Sequence, residues 1–152
     1  MIKILFVCHG NICRSPMAEF MLKRLVRQAG REKDFEIASA ATHDDELGNP
    51  IYPMARQELA KHGIGCPGHT ARLLTVDDYR RHDLIIGMDQ ANMNDMRNLF
   101  GGDPANKLHL MMDFTGEHRD VADPWYTRNF NATWRDLDTA CAALFNQLTV
   151  NG

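Results

Sequence analysis

The chain has 152 residues, 44% of them hydrophobic and 24% charged, an ordinary balance for one globular domain with a buried core. Its 17 Lys and Arg against 20 Asp and Glu leave a net charge of -3, which provides no basic field for nucleic acid or an anionic membrane surface. The 4 cysteines, at positions 8, 13, 66 and 141, are too sparse for a secreted disulfide scaffold, and no stretch reaches the ~20 apolar residues of a membrane span.

Met1 to Val7 hold one Lys and an apolar run too short for a signal peptide, so a cytoplasmic single domain over residues 1–152 is expected, with no membrane insertion. Ile2 to Val7 is a compact β-branched run, as in a parallel strand buried on both faces. A loop from Cys8 to Ser15 leads to Pro16 in the first turn of a helix with an apolar stripe of Ala18, Met21, Leu22, Leu25, Val26 and Ala29; Gly30 closes it. Phe35 to Ser39 reads as a second strand, and the polar stretch through Gly48, Asn49 and Pro50 as loop. Pro53 opens a short helix closing at Gly63, and Thr75 with Asp78 resembles a capping arrangement for another.

Asp83 to Met88 is the clearest later strand, with Asp89 capping the helix after it, and Lys107 to Met111 reads as a fourth. Asn131 to Leu148 carries Trp134, Leu137, Ala140, Cys141, Leu144 and Leu148 at the spacing of a final amphipathic helix. Alternating strands and helices predict a single-domain α/β fold, a doubly wound sheet of about four parallel strands with helices on both faces. Its site should lie where strand ends feed helix starts.

The informative stretch is His9-Gly10-Asn11-Ile12-Cys13-Arg14-Ser15 after Cys8, a Cys at a strand end and an Arg six residues on at a helix start. A tight loop entering a helix turns successive backbone N–H groups inward, and with the helix dipole they form a site for a tetrahedral oxyanion. Arg14 adds a fork to two phosphate oxygens. A thiol over the same concavity feels the same field, which favours the thiolate; the Ser15 hydroxyl can donate to that sulfur. Gly10 allows a turn that a side chain would hinder, and Asn11 tolerates a left-handed conformation.

Cys8-His9-Gly10-Asn11-Ile12-Cys13-Arg14-Ser15-Pro16, followed by Ala18-Glu19, resembles the low-molecular-weight protein tyrosine phosphatase family. The resemblance implies a phosphate-binding loop over residues 9–15, Cys8 as nucleophile forming a phosphocysteine, and Arg14 holding the phosphoryl oxygens. Expelling an alkoxide or phenoxide also needs a proton donor. Asp123-Pro124-Trp125-Tyr126, before the last helix, resembles the family's acid segment, so Asp123 carries over as general acid and then base, with Trp125 and Tyr126 walling the substrate cleft. Thr127-Arg128 stands where the family often continues with Gly.

Ser39 and His69 match family positions that support the loop through Asn11, and Asp89 also matches; Ala41 replaces a usual Gly. The larger departure is Asp45, where many members carry an aromatic wall for the phosphotyrosine ring. Asp45 and Glu46 put carboxylates in the substrate cleft, and their bland reading is a solvated loop. Cys13 is either packing under the loop or a redox partner that traps oxidised Cys8 as a disulfide. Cys66 and Cys141 read as structural.

No cofactor is implied, and the scattered histidines give no metal-ligand spacing. The expected partner is a phosphotyrosine protein or a small aryl phosphate, with no nucleic acid and a monomeric state. Two rival enzymatic readings share the loop. An arsenate reductase of this fold would need a relay cysteine pair, and none lies between residues 67 and 140. A cysteine-phosphorylated phosphocarrier would need neither Asp123 nor Arg14. A noncatalytic phosphate-binding module would have lost the nucleophile or the acid.

Overall fold

Strand β1 (Ile2–Cys8) is apolar and buried from Ile4 onward because both its faces are covered there. Ile4, Phe6 and Cys8 belong to one core, and Leu5 and Val7 to the other. The computed structural model describes residues 1–150; Asn151 and Gly152, the last two positions of the expected domain, lie outside the described residues.

Strands β2 (Phe35–Ala41) and β3 (Leu84–Gly87) flank β1, and β4 (Leu108–Leu110) pairs with β3, giving a parallel sheet of order β2-β1-β3-β4. The register sets Cys8 beside Ala41 and Val7 beside Gly87. Because the chain adds β2 on one side of β1 and β3 on the other, the switch point falls at the carboxyl end of β1, where a crevice opens in such sheets.

On the face of Ile4 and Phe6 lie helices α1 (Arg14–Gln28), α2 (Pro53–Lys61) and α6 (Phe130–Val150), contributing Met17, Leu22, Leu59, Leu137 and Leu144 to the larger core. On the other face lie α3 (Asp77–Arg81) and α4 (Gln90–Phe100), with Tyr79, Met93 and Met96. A one-turn helix, α5 (Pro124–Thr127), precedes α6. No helix of the described residues is long and apolar enough to cross a membrane.

The α/β architecture is as expected, and the differences have local causes. Helix α1 begins at Arg14, not Pro16; Pro16 takes the third helical position, where its missing N–H is one of the donors without an intrahelical partner. Strand β2 runs on from Ser39 to Ala41 because Ala40 and Ala41, both fully buried, pair with Val7 and Cys8. Strand β3 stops at Gly87 because the Met88 N–H is taken by Asn92 Oδ1 at 3.0 Å, ending the ladder. Strand β4 is shorter than Lys107 to Met111, since Met111 already opens a 3-10 turn through Thr115. That turn, another at Glu32–Asp34, and α5 are too short to show periodicity in sequence.

Candidate active site

Cys8 ends β1 with its sulfur 3.0 Å from Ser15 Oγ and 3.4 Å from the Ser15 N–H, in the first turn of α1. That helix has no side-chain N-cap and no acidic residue in its first turn, so its positive end is left to whatever occupies the loop. The loop is held from behind by Asn11, which is fully buried with φ 59°. Asn tolerates this left-handed conformation better than most residues.

The hydrogen bonds of Asn11 orient the hydroxyls behind Cys8. Its Oδ1 accepts from the Arg72 N–H at 3.1 Å, which settles the orientation of the amide. Its Nδ2 then donates to Ser15 Oγ and Ser39 Oγ, both at 2.9 Å. Ser39 passes its own proton to Glu19 Oε1 at 2.6 Å, and Ser15, already accepting from Asn11, keeps its proton for the sulfur. The arrangement favours an electron-rich Cys8. His69 Nε2 donates to the Asn11 carbonyl at 2.8 Å.

The turn at this loop belongs to Asn11 and not to Gly10. Gly10 has no positive φ, and a Cβ there would meet Glu46 Cγ at 3.4 Å, an ordinary contact, so the expectation that a side chain at 10 hinders the turn is corrected.

Arg14 is 2% exposed, and a buried guanidinium must be paired. One amino group donates to Asp89 Oδ2 at 2.8 Å and to the Val121 carbonyl at 2.9 Å; the other reaches Asp123 Oδ2 at 3.4 Å. Burial would lower the Arg14 pKa, but the negative charges of Cys8, Asp123 and Asp89 outweigh it and hold it above its ordinary value. Asp89 is shared: its Oδ1 caps α4 by accepting from the Asn92 N–H at 2.8 Å. Asp123 caps α5, accepting from the Trp125 N–H at 3.0 Å.

Together these elements form a cleft of about 180 Å³, lined by the loop residues, Asp123, Trp125, Tyr126, Asp45 and Glu46. Asp45 is not a bare acidic wall: His9 Nε2 donates to its Oδ2 at 2.9 Å, and the His9 ring stacks on His43 at 4.0 Å. Hydrogen bonding to His9 holds the Asp45 carboxyl below its usual range. Ile12 and Cys13 complete the floor. Burial pushes the Cys13 thiol far up, and the charges of Cys8 and Asp123 push the same way. All 4 cysteines are free.

Sequence reasoning missed Arg72, the second bond of Asp89, the His9–Asp45 pair and a contact between Tyr52 and Arg128. Most join residues far apart in the chain and leave no local pattern. Glu19 had a signal: a carboxylate beside Ala18 and Met21 in the buried half of an amphipathic helix needs a partner.

A family model described as low molecular weight phosphotyrosine protein phosphatase matches residues 3–152. The chain is 35% identical over 146 residues to low molecular weight protein-tyrosine-phosphatase YfkJ of Bacillus subtilis, covering 95% of this chain and 94% of that one. It is 36% identical over 150 residues to low molecular weight phosphotyrosine protein phosphatase 1 of Drosophila melanogaster, covering 95% and 96%. The crystal structure of YfkJ from Bacillus subtilis matches with a TM-score of 0.96 at 33% identity, over 99% of this chain and 96% of that one.

Proposed function

The chain belongs to the low molecular weight phosphotyrosine protein phosphatase family and is a protein-tyrosine-phosphatase, and we propose that Cys8, Arg14 and Asp123 carry its chemistry. The observation that supports this most is the convergence on one cleft of the Cys8 sulfur, hydrogen-bonded to Ser15, the buried Arg14 fork and the Asp123 carboxyl.

In the first step the Cys8 thiolate attacks phosphorus in line, the S–P bond forms and the P–O ester bond breaks. Asp123, protonated, gives its proton to the leaving oxygen. Arg14 and the amides of residues 9–15 hold the equatorial oxygens as charge develops on them. In the second step Asp123, now a carboxylate, takes a proton from water; the new P–O bond forms, the S–P bond breaks, and the thiolate returns. Ser15 stabilises the departing sulfur, while Asn11, Ser39 and His69 keep the loop in shape.

The substrate is a phosphotyrosine protein or a small aryl phosphate, its ring lying against Trp125 and Tyr126 and facing Asp45 and Glu46. We place the enzyme as a monomer, one catalytic domain over 1–152, in the cytoplasm, where reducing conditions keep Cys8 a thiol.

The test is turnover of an aryl phosphate by wild type, Cys8→Ser and Asp123→Ala, with rapid quench to detect phosphate on protein. Cys8→Ser should be inactive, and Asp123→Ala should lose about 10²–10⁴-fold, most with poor leaving groups. Phosphocysteine that forms in wild type but never turns over would overturn the reading in favour of a phosphocarrier.

A further inference from the structure

Three non-glycine residues among those described have positive φ. Two, Asn11 and Asn106, are of a type that tolerates it; the third is Arg128 at φ 59°, the left-handed cap closing α5. Arginine is a poor choice there unless its side chain contributes something that glycine or asparagine cannot. The guanidinium lies over the Trp125 ring at 5.3 Å and the Tyr52 ring at 5.9 Å, and it donates to the Tyr52 hydroxyl at 2.9 Å.

Tyr52 is the other half of the arrangement. Its ring meets Trp125 edge-on at 5.1 Å and stacks on Phe130 at 5.9 Å, where α6 begins. Its backbone N–H donates to the Ile12 carbonyl at 2.9 Å, so it is fastened to the phosphate loop. On the other side Arg128 is fastened to Asp123 through one rigid turn: the Arg128 N–H bonds the Pro124 carbonyl at 2.9 Å, and the Trp125 N–H bonds the Asp123 side chain.

We infer that Arg128 is a positioning residue, clamping the turn that carries Asp123 to the phosphate loop through Trp125 and Tyr52. This inference rests on the reading of Asp123 as general acid. The single turn of α5 is too short to hold itself; the Asp123 carboxyl itself meets Arg14 at 3.4 Å, and Arg14 also holds the Val121 carbonyl two residues earlier. Proton transfer to the leaving oxygen needs hydrogen-bond geometry at the moment of bond breaking. A loosened turn therefore weakens protonation of the leaving group in the first step and activation of water in the second, and only the first depends on which alcohol leaves. Arg128 touches neither the sulfur nor the acid, so its effect must pass through the turn.

The experiment compares wild type, Arg128→Asn, Arg128→Lys and Asp123→Ala on a series of aryl phosphates from p-nitrophenyl to phenyl, with thermal melts of each. Asparagine keeps the left-handed backbone and removes the guanidinium, so a fault in folding is separated from a fault in the clamp. The expected result is a loss of kcat/KM by Arg128→Asn of about tenfold on phenyl phosphate and little change on p-nitrophenyl phosphate, a milder version of Asp123→Ala, with partial recovery in Arg128→Lys.

Equal loss of kcat/KM across the series overturns the clamp. If Asp123→Ala itself shows no leaving-group dependence, the acid assignment fails, and the clamp with it. If Asp123→Ala shows that dependence and Arg128→Asn does not, the clamp alone fails.

Discussion

Replacing Asn11 with Ala deletes three side-chain hydrogen bonds at a fully buried position, those to Ser15, Ser39 and the Arg72 N–H. Each such bond contributes about 1 kcal/mol net to stability, giving roughly 3 kcal/mol. Alanine must also hold the left-handed backbone of φ 59°, and without a side chain to bond locally this adds about 1 kcal/mol. The sum, about 4 kcal/mol, is a large part of the 5–15 kcal/mol that holds a typical domain together. At about 2–4 °C per kcal/mol for a chain of this size, Asn11→Ala should melt some 8–16 °C below wild type when followed by circular dichroism.

Asn11→Asp separates stability from catalysis. The shape and the bond to the Arg72 N–H remain, but a carboxylate accepts where the amide donated, so Ser15 and Ser39 turn their protons toward residue 11. Ser15 then no longer donates to Cys8, and a second negative charge faces the sulfur. Turnover of p-nitrophenyl phosphate should fall by at least about tenfold, with KM for an anionic ester raised. An Asn11→Ala protein melting within 2 °C of wild type (about 1 kcal/mol or less), or an Asn11→Asp enzyme with unchanged kcat, would refute the proton ordering argued from these distances.

Two further outcomes follow from the packing and charge around the site. A Cβ at Gly87 would lie 3.0 Å from Met93 Sδ and Met96 Cε and 3.2 Å from Asn92 Cβ, so Gly87→Ala should cost about 1–3 kcal/mol in urea unfolding. Because Asn92 caps α4 jointly with Asp89, which pairs Arg14, the same variant should also raise KM; unchanged KM would show that the strand end and the Arg14 anchor are uncoupled. Burial pushes the Asp78 carboxyl up, but the Arg72 fork and the Thr75 N–H and hydroxyl outweigh it and hold it below the usual range. A depressed carboxyl stabilises the fold above its unfolded pKa of about 3.9 and loses that contribution as pH falls through the folded value. Asp78→Asn should therefore melt roughly 4–8 °C below wild type at pH 7, the gap narrowing as pH falls below about 3.9; a gap independent of pH would count against the ion pair.

The parts of this site that are legible in sequence are contiguous ones. Cys8, Arg14 and Ser15 sit in a single strand-loop-helix segment, where spacing alone implies an oxyanion cradle. The sheet was legible for a similar reason, since Ile2 to Val7 and Asp83 to Met88 are apolar enough to need cover on both faces. What sequence spacing did not carry are bonds whose partners meet only in the folded chain. Arg14 binds the Val121 carbonyl, a backbone atom with no residue preference, and Asp89 looked complete as a helix cap before its second oxygen was seen on Arg14. Asp45 read as an acidic replacement for an aromatic wall, and the imidazole beneath it, His9, changes its character.

The span between Arg14 and its anchors has a consequence for biosynthesis. Cys8 and the loop through Arg14 are made early, while Asp123 lies 109 residues beyond Arg14, about 5–20 s later at ordinary elongation rates. In the first part of that interval Arg14 has none of its anchors; Asp89 is added on the way, and Val121 and Asp123 come last. A nascent chain stalled before Val121 should thus lack the Asp123 carboxyl and the Val121 anchor of Arg14, and hydrolyse aryl phosphates no better than Asp123→Ala.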